Sequence, residues 1–142
     1  VLIANVLSIA KLTGASSQQT VFNLNKRQQG QAYEQMAEQF LSRHRLKLIE
    51  RNFSCRSGEI DLIMRQGKCF VFIEVKYRTH RHFGSASEAV NWHKQQKLKR
   101  TALFWLQKNG FSIDQTECRF DVVTIEGQEH HIEWHTNILV EG

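Results

Sequence analysis

The chain has 142 residues, 41% of them hydrophobic and 23% charged, with no proline, which excludes collagen-like and disordered classes and fits one globular domain. Lysine and arginine number 19 against 14 acidic residues, a net charge of +5, so an acidic partner is expected, with nucleic acid ahead of a membrane surface. Cys55, Cys69 and Cys118 are odd in number and form no CxxC pair, which argues against a disulfide framework or a zinc ribbon and fits a reducing cytoplasm.

The opening segment "VLIANVLSIAKL" is apolar but too short to span a bilayer, and it lacks the basic lead of a signal peptide. "TGASSQQT" follows with the composition of a linker, so residues 1–20 are expected to form a tail and residues 21–142 the domain. From Gln28 the period becomes helical. Ala32, Tyr33, Met36, Ala37, Phe40 and Leu41 make one apolar stripe, while Glu34 and Glu38 lie one turn apart on another face. "KLIERNF" predicts a first strand and "SCRSG" a loop. Glu59–Met64 and Cys69–Arg78 predict two more strands around "RQGK", where Gly67 can supply a positive φ. After "THRHFGSAS", a second helix is signalled by Leu98, Ala102, Trp105 and Leu106 and stopped at Asn109-Gly110. "ECRFDVVTI" and "HHIEWH" complete the order αβββαβ(β), one α/β domain.

The stretch "GEIDLIMRQGKCFVFIEVKYR" carries the chemistry. Alternate residues of a strand share a face, so Glu59, Asp61 and Ile63 point one way, and Phe72, Glu74 and Lys76 share a face. A two-residue Gln66-Gly67 turn would pair Arg65 with Lys68, setting Asp61 opposite Phe72 and Glu59 opposite Glu74. Like charges facing each other destabilise a sheet, so this patch calls for a compensating cation. Mg²⁺ suits it, being held by one or two carboxylates, several waters and a substrate phosphate. Asp61 and Glu74 would supply the carboxylates and the Val75 carbonyl a neutral oxygen. Lys76 is placed to position or deprotonate a water and to steady charge developing on phosphorus. That set serves in-line hydrolysis of a phosphodiester. The bland alternative is an exposed face on which Glu74 and Lys76 simply pair. Phe70 and Phe72 weigh against it, because they make the face half-buried, and half-buried charge marks sites.

Asp61, the following Glu74-Val75-Lys76 and an upstream helix bearing Glu34 resemble the restriction-endonuclease-like nucleases, whose signature is PD…(D/E)xK. More closely, "GEIDLI", "FIEVKYR", "FGSASEAV", "KQQKLKR" and "RFDVVTI" resemble the YraN family of small bacterial proteins, from about Gln28 to the end. The residue before Asp61 is Ile60, not the proline of the wider signature. The resemblance implies a restriction-endonuclease-like domain, an αβββαβ core with a mixed central sheet flanked by helices. It also implies distant similarity to archaeal Holliday-junction resolvases. By the same resemblance, Asp61 and Glu74 are metal ligands for Mg²⁺ or Mn²⁺, Lys76 is the catalytic lysine, and Glu34 is an acidic partner. Glu59 is second to these or structural.

Lys94, Lys97, Lys99 and Arg100 cluster at the start of the second helix, with Arg78 and Arg81 ahead of it. Lys94 and Lys97 are expected on a face opposite the Ala102/Trp105 stripe, where, with Arg78, Arg81 and Arg100, they would hold phosphates without reading sequence. The alternative is an ordinary solvated face. His80, His82, His130, His131 and His135 raise zinc, but their spacing matches no structural site. Trp92, Trp105 and Trp134 read as packing residues. The expected function is a metal-dependent, sequence-tolerant DNA endonuclease on branched DNA. Its partners would be a helicase or branch-migration motor or a second copy of the chain, with no membrane contact. The alternative from another class is a non-catalytic nucleic-acid-binding adaptor.

Overall fold

The computed structural model describes residues 24–79 and 91–138. The expected tail, and the loop bearing His80, Arg81 and His82, lie outside the described residues. Helix α1 spans Lys26–Arg43, followed by β1 (Lys47–Cys55), β2 (Gly58–Gln66), β3 (Cys69–Arg78), α2 (Trp92–Lys108), β4 (Cys118–Glu126) and β5 (His131–His135). The expected αβββαβ(β) order is therefore found. β1 and β2 run longer than the sequence pattern indicated, closing on Arg56-Ser57.

One mixed sheet has the order β1-β2-β3-β4-β5. β1, β2 and β3 form an antiparallel meander, β3 and β4 are parallel, and β4 and β5 are antiparallel. A parallel pair needs a long crossover, and α2 lies within it. The α1 stripe, Ala32, Tyr33, Ala37 and Leu41, covers one face over Leu62, Met64, Val71, Ile73, Val123 and Ile125. The α2 stripe, Leu98, Ala102, Trp105 and Leu106, covers the other over Ile63, Phe70, Phe72 and Val122. β3, buried on both faces, reads as a nearly continuous apolar run.

Each helix starts on an asparagine. Asn25 accepts from the Gln28 N–H at 2.9 Å while the Gln28 side chain reaches back to the Asn25 N–H. Asn91 accepts from the Lys94 N–H at 2.9 Å. Gly58 lets α2 lie close over the start of β2, because a Cβ there would meet Thr101 Oγ1 at 3.3 Å. Trp105 is core and Trp134 donates to Asp121, but Trp92 is 65% exposed and packs into neither cluster, against the expectation.

The face alternation of the β1–β2 ribbon reverses at one step. Arg51 pairs with Leu62, and Phe53 pairs with Ile60. Leu62 belongs to the α1-side core, whereas Phe53 and Ile60 belong to the α2-side core. Between them stand Asn52 and Asp61, and Asn52 has φ 51°, the left-handed region. The expectation that Glu59, Asp61 and Ile63 share one face fails here. Glu59 is exposed at the edge of the ribbon.

Candidate active site

Gln66 pairs with Cys69, so Gly67 and Lys68 make the turn between β2 and β3, and Gly67 takes φ 58°. Glycine serves either position of a two-residue hairpin turn, and here it takes the first. The expected pairing of Arg65 with Lys68 is thus displaced by two residues. Phe72 pairs with Ile63, not with Asp61. Asp61, rather than Glu59, comes level with Glu74. The displacement is even, so the face carrying Phe72 and Glu74 is kept.

Regular pairing stops at Leu62 and Ile73. Beyond it the Asp61 carboxylate accepts the Val75 N–H at 2.8 Å, in place of a ladder bond. In a strand the N–H and C=O of one residue leave by the same edge, so the Val75 carbonyl faces this opening too. The site is the place where two strands part.

Glu74 is 7% exposed. Its Oε1 is bonded by the Lys94 ammonium and lies 3.4 Å from the Lys76 ammonium. A buried carboxylate with partners of this kind avoids most of the desolvation cost of an isolated one. Among the described residues, no ammonium is bonded to Asp61 in this way. Burial, then the Glu74 charge, push its carboxyl up to about 7, against the pull of the Val75 N–H. Glu34, from α1, is raised as well, by burial first. The Asn52 side chain bonds it and lowers it, and the Glu74 and Glu59 charges raise it further. Asp61, Glu34 and Glu74 are therefore mutually repelling oxygen donors at one opening.

The two lysines differ. Burial lowers Lys76, and the neighbouring Lys94 lowers it again, outweighing Glu74. Burial also works against the Lys94 ammonium, but its hydrogen bond to Glu74 holds it above the usual lysine value. The nearer lysine takes the benefit of the carboxylate. Lys94 was expected on the outer face of α2 and is found elsewhere. It stands one turn before Leu98 on the buried stripe, because Asn91 caps the helix three residues earlier. A cation in the first turn opposes the helix dipole, and α2 has no acidic residue there to offset it. Glu74 supplies that charge from the sheet. Such a local conflict, resolved only by the tertiary fold, was the available sequence signal for Lys94.

Lys97 and Arg100 are exposed, Lys99 and Arg78 half-buried, and Arg81 lies outside the described residues. Two hollows meet at Glu59. One, of about 490 Å³, is lined by Lys26, Arg27, Gly30, Gln31, Glu34, Asn52 and Glu59. The other, of about 250 Å³, is lined by Gly58, Glu59, Asp61, Glu74, Lys94, Lys97 and Leu98. Cations flank the carboxylates on both sides, and Lys26 and Arg27 were not singled out by sequence spacing.

Among the described residues, no three His, Cys, Asp or Glu side chains are arranged to hold a metal ion. His130 packs against Tyr33 and Tyr77, while His131 and His135 lie 3.2 and 3.5 Å from opposite oxygens of Glu133. The carboxylates at the β2/β3 opening fit a different mode, in which two acids and a carbonyl leave the remaining positions to water and phosphate. Among the described residues no helix is long and apolar enough to cross a membrane.

A family model described as "Uncharacterised protein family UPF0102" matches residues 33–125, which include α1 from Tyr33 on, both parted strands and α2. A UPF0102 protein of Photobacterium profundum is 70% identical over 119 residues, covering 84% of this chain and 95% of its own. Another from Aliivibrio salmonicida is 56% identical, covering 83% and 96%. One from Vibrio vulnificus is 43% identical, covering 83% and 97%. On a match of this extent, the chain belongs to the UPF0102 family, which is the YraN family that its motifs resembled.

Proposed function

We propose that this protein is a metal-dependent DNA endonuclease of restriction-endonuclease-like fold, sequence-tolerant and directed to branched or structured DNA. One observation carries the reading. Asp61 and Glu74 come level where β2 and β3 part, with the Val75 carbonyl at the same opening and Lys76 on the adjoining position. Asp61, Glu74 and the Val75 carbonyl would hold Mg²⁺ or Mn²⁺. The donor chemistry suits a hard divalent cation, since the carboxylate oxygens repel one another. When bound, the ion supplies Lewis acidity at a phosphoryl oxygen.

The chain's own residues do the rest. Lys94 neutralises Glu74 and fixes its carboxylate beside the opening. Lys76, made more acidic by burial, can hold a water and, once it has lost its own proton, take one from that water as the neutral amine; as the ammonium it can steady charge gathering on phosphorus. Glu34, raised by burial, borders Asp61 and can share a proton with it. Lys26, Arg27 and Lys97 at the ends of the two hollows, with Arg100 on the outer face of α2, suit backbone phosphates and carry no base readout.

A second reading has its own observation. Glu74 already has two ammonium partners, so the patch can be electrically complete without an ion, as a non-catalytic nucleic-acid-binding adaptor would need. Purified protein, a panel of linear and branched DNAs, and Mg²⁺ or Mn²⁺ against EDTA separate the two. Cleavage that EDTA stops supports the nuclease. Metal-independent binding with no turnover on any substrate supports the adaptor.

A further inference from the structure

Asn52 sits on β1 between the Arg51–Leu62 and Phe53–Ile60 pairs, at the same level as Asp61, with φ 51°. A left-handed residue inside a strand is costly and tends to persist where the surroundings require it. Here it changes which way the ribbon faces. Arg51 grips Glu38 of α1 through two bonds of 2.7 Å, and Asn52 lines two hollows together with Glu34, one helical turn earlier. Consecutive residues of a regular strand point to opposite faces, so both could not reach α1 without such a reversal. Asparagine tolerates this conformation better than branched residues, and its side chain also brings an amide donor.

We propose that Asn52 is a positioning residue, whose backbone turns the β1–β2 ribbon at the site and whose amide holds Glu34 against Asp61. Glu34 shares a hollow with Glu59 and feels the Glu74 charge as well. Without the Asn52 amide, Asp61 alone would be left to hold it, and Glu34 is expected to turn toward solvent. The catalytic consequence rests on the nuclease reading. The contact itself does not.

The test compares Asn52→Gly with Asn52→Ala in the full chain. Glycine accepts φ 51° without strain, so Asn52→Gly is expected to keep the thermal midpoint within about 3 °C of wild type, whereas Asn52→Ala falls further. Both are expected to lose cleavage rate by tenfold or more, with the DNA KM unchanged, because the misplaced group is Glu34 and not a phosphate contact. An Asn52→Gly protein with full activity would show that only the backbone matters and would overturn the proposal. A second readout needs no activity. The midpoint shift from Asn52→Gly is expected to differ by roughly 3 °C or more between wild-type and Glu34→Ala backgrounds. Additive shifts would remove the Asn52–Glu34 bond from consideration. If the wild-type protein cleaves no DNA, the nuclease reading fails, and this cycle alone decides whether Asn52 holds Glu34.

Discussion

Asp61 and Asp121 are carboxylates of one sheet, on either side of β3, yet their surroundings could hardly differ more. Asp121 is 1% exposed and pairs in register with Ile73, one residue before Glu74. It accepts from Arg119 Nε at 3.1 and 3.2 Å, from Trp134 Nε1 at 2.9 Å and from the Asn137 N–H at 2.9 Å. Its charge is matched and its oxygens are shared among donors that tie β5 and the segment after it to β4. Asp61 receives one backbone N–H and faces other acids. A buried carboxylate saturated by donors is a structural joint. One left among acids at a strand opening is a candidate for function.

The sharpest way to break this contrast is cleavage itself. On the nuclease reading, Asp61→Asn, Glu74→Gln and Lys76→Ala should each reduce Mg²⁺-dependent cleavage by about a hundredfold or more. DNA binding should survive Asp61→Asn and Lys76→Ala. Cleavage that is indifferent to all three would remove the site.

Asp121→Ala comes next, and its effect is on stability. Loss of the carboxylate strands an indole, an amide and a guanidinium, at a cost of about 3 kcal/mol, read as a drop of roughly 10 °C in Tm. No change on that scale would make Asp121 the same kind of residue as Asp61.

The two site carboxylates should then differ in sign. Asp61 has its folded pKa raised to about 7 from an ordinary 3.8, so the folded chain binds its proton more tightly than the unfolded chain does. Its ionisation therefore costs stability, fully above pH 7, progressively less as pH falls, and not at all below about 3.8. Asp61→Asn should raise Tm by roughly 5 °C at pH 8 and lose that gain toward pH 4. Glu74→Gln should lower Tm instead, because it leaves the Lys76 and Lys94 ammoniums beside each other without a carboxylate. Paired thermal melts across that pH range check both signs.

The smallest effect belongs to the rim. Lys97→Ala and Arg100→Ala should each lower the salt slope of log K for DNA by about 1, equally for unrelated sequences. An unchanged slope would return them to an ordinary solvated face.

The helices and β3 were legible in the sequence because their periods are long and unbroken, from Ala32 to Leu41 and from Leu98 to Leu106. Asp61, Glu74 and Lys76 were legible as charges in an apolar hairpin. Their register was not, since one glycine suits two turn positions and a two-residue slide leaves the face pattern unchanged. Lys94 was misplaced for another reason. Its spacing from Lys97 gave one helical face, but its partner is Glu74, which lies on β3 and could not be found from helix periodicity. Asn52 carried no period at all. A backbone that leaves the strand region for one residue gives no signal in a hydrophobic pattern.

β1 is an outer strand of the sheet, and outer strands offer unpaired N–H and C=O groups to other chains. Two irregularities interrupt that offer: a shift in register between Leu48 and Glu50, and the left-handed Asn52. Between and beyond them no run of β1 is long and flat enough to template another strand in register, and Lys47 and Arg51 add charge along it. The kink at Asn52 is thus suited to blunting the border of the sheet as well, and replacing it with a strand-forming residue is expected to favour misassembly.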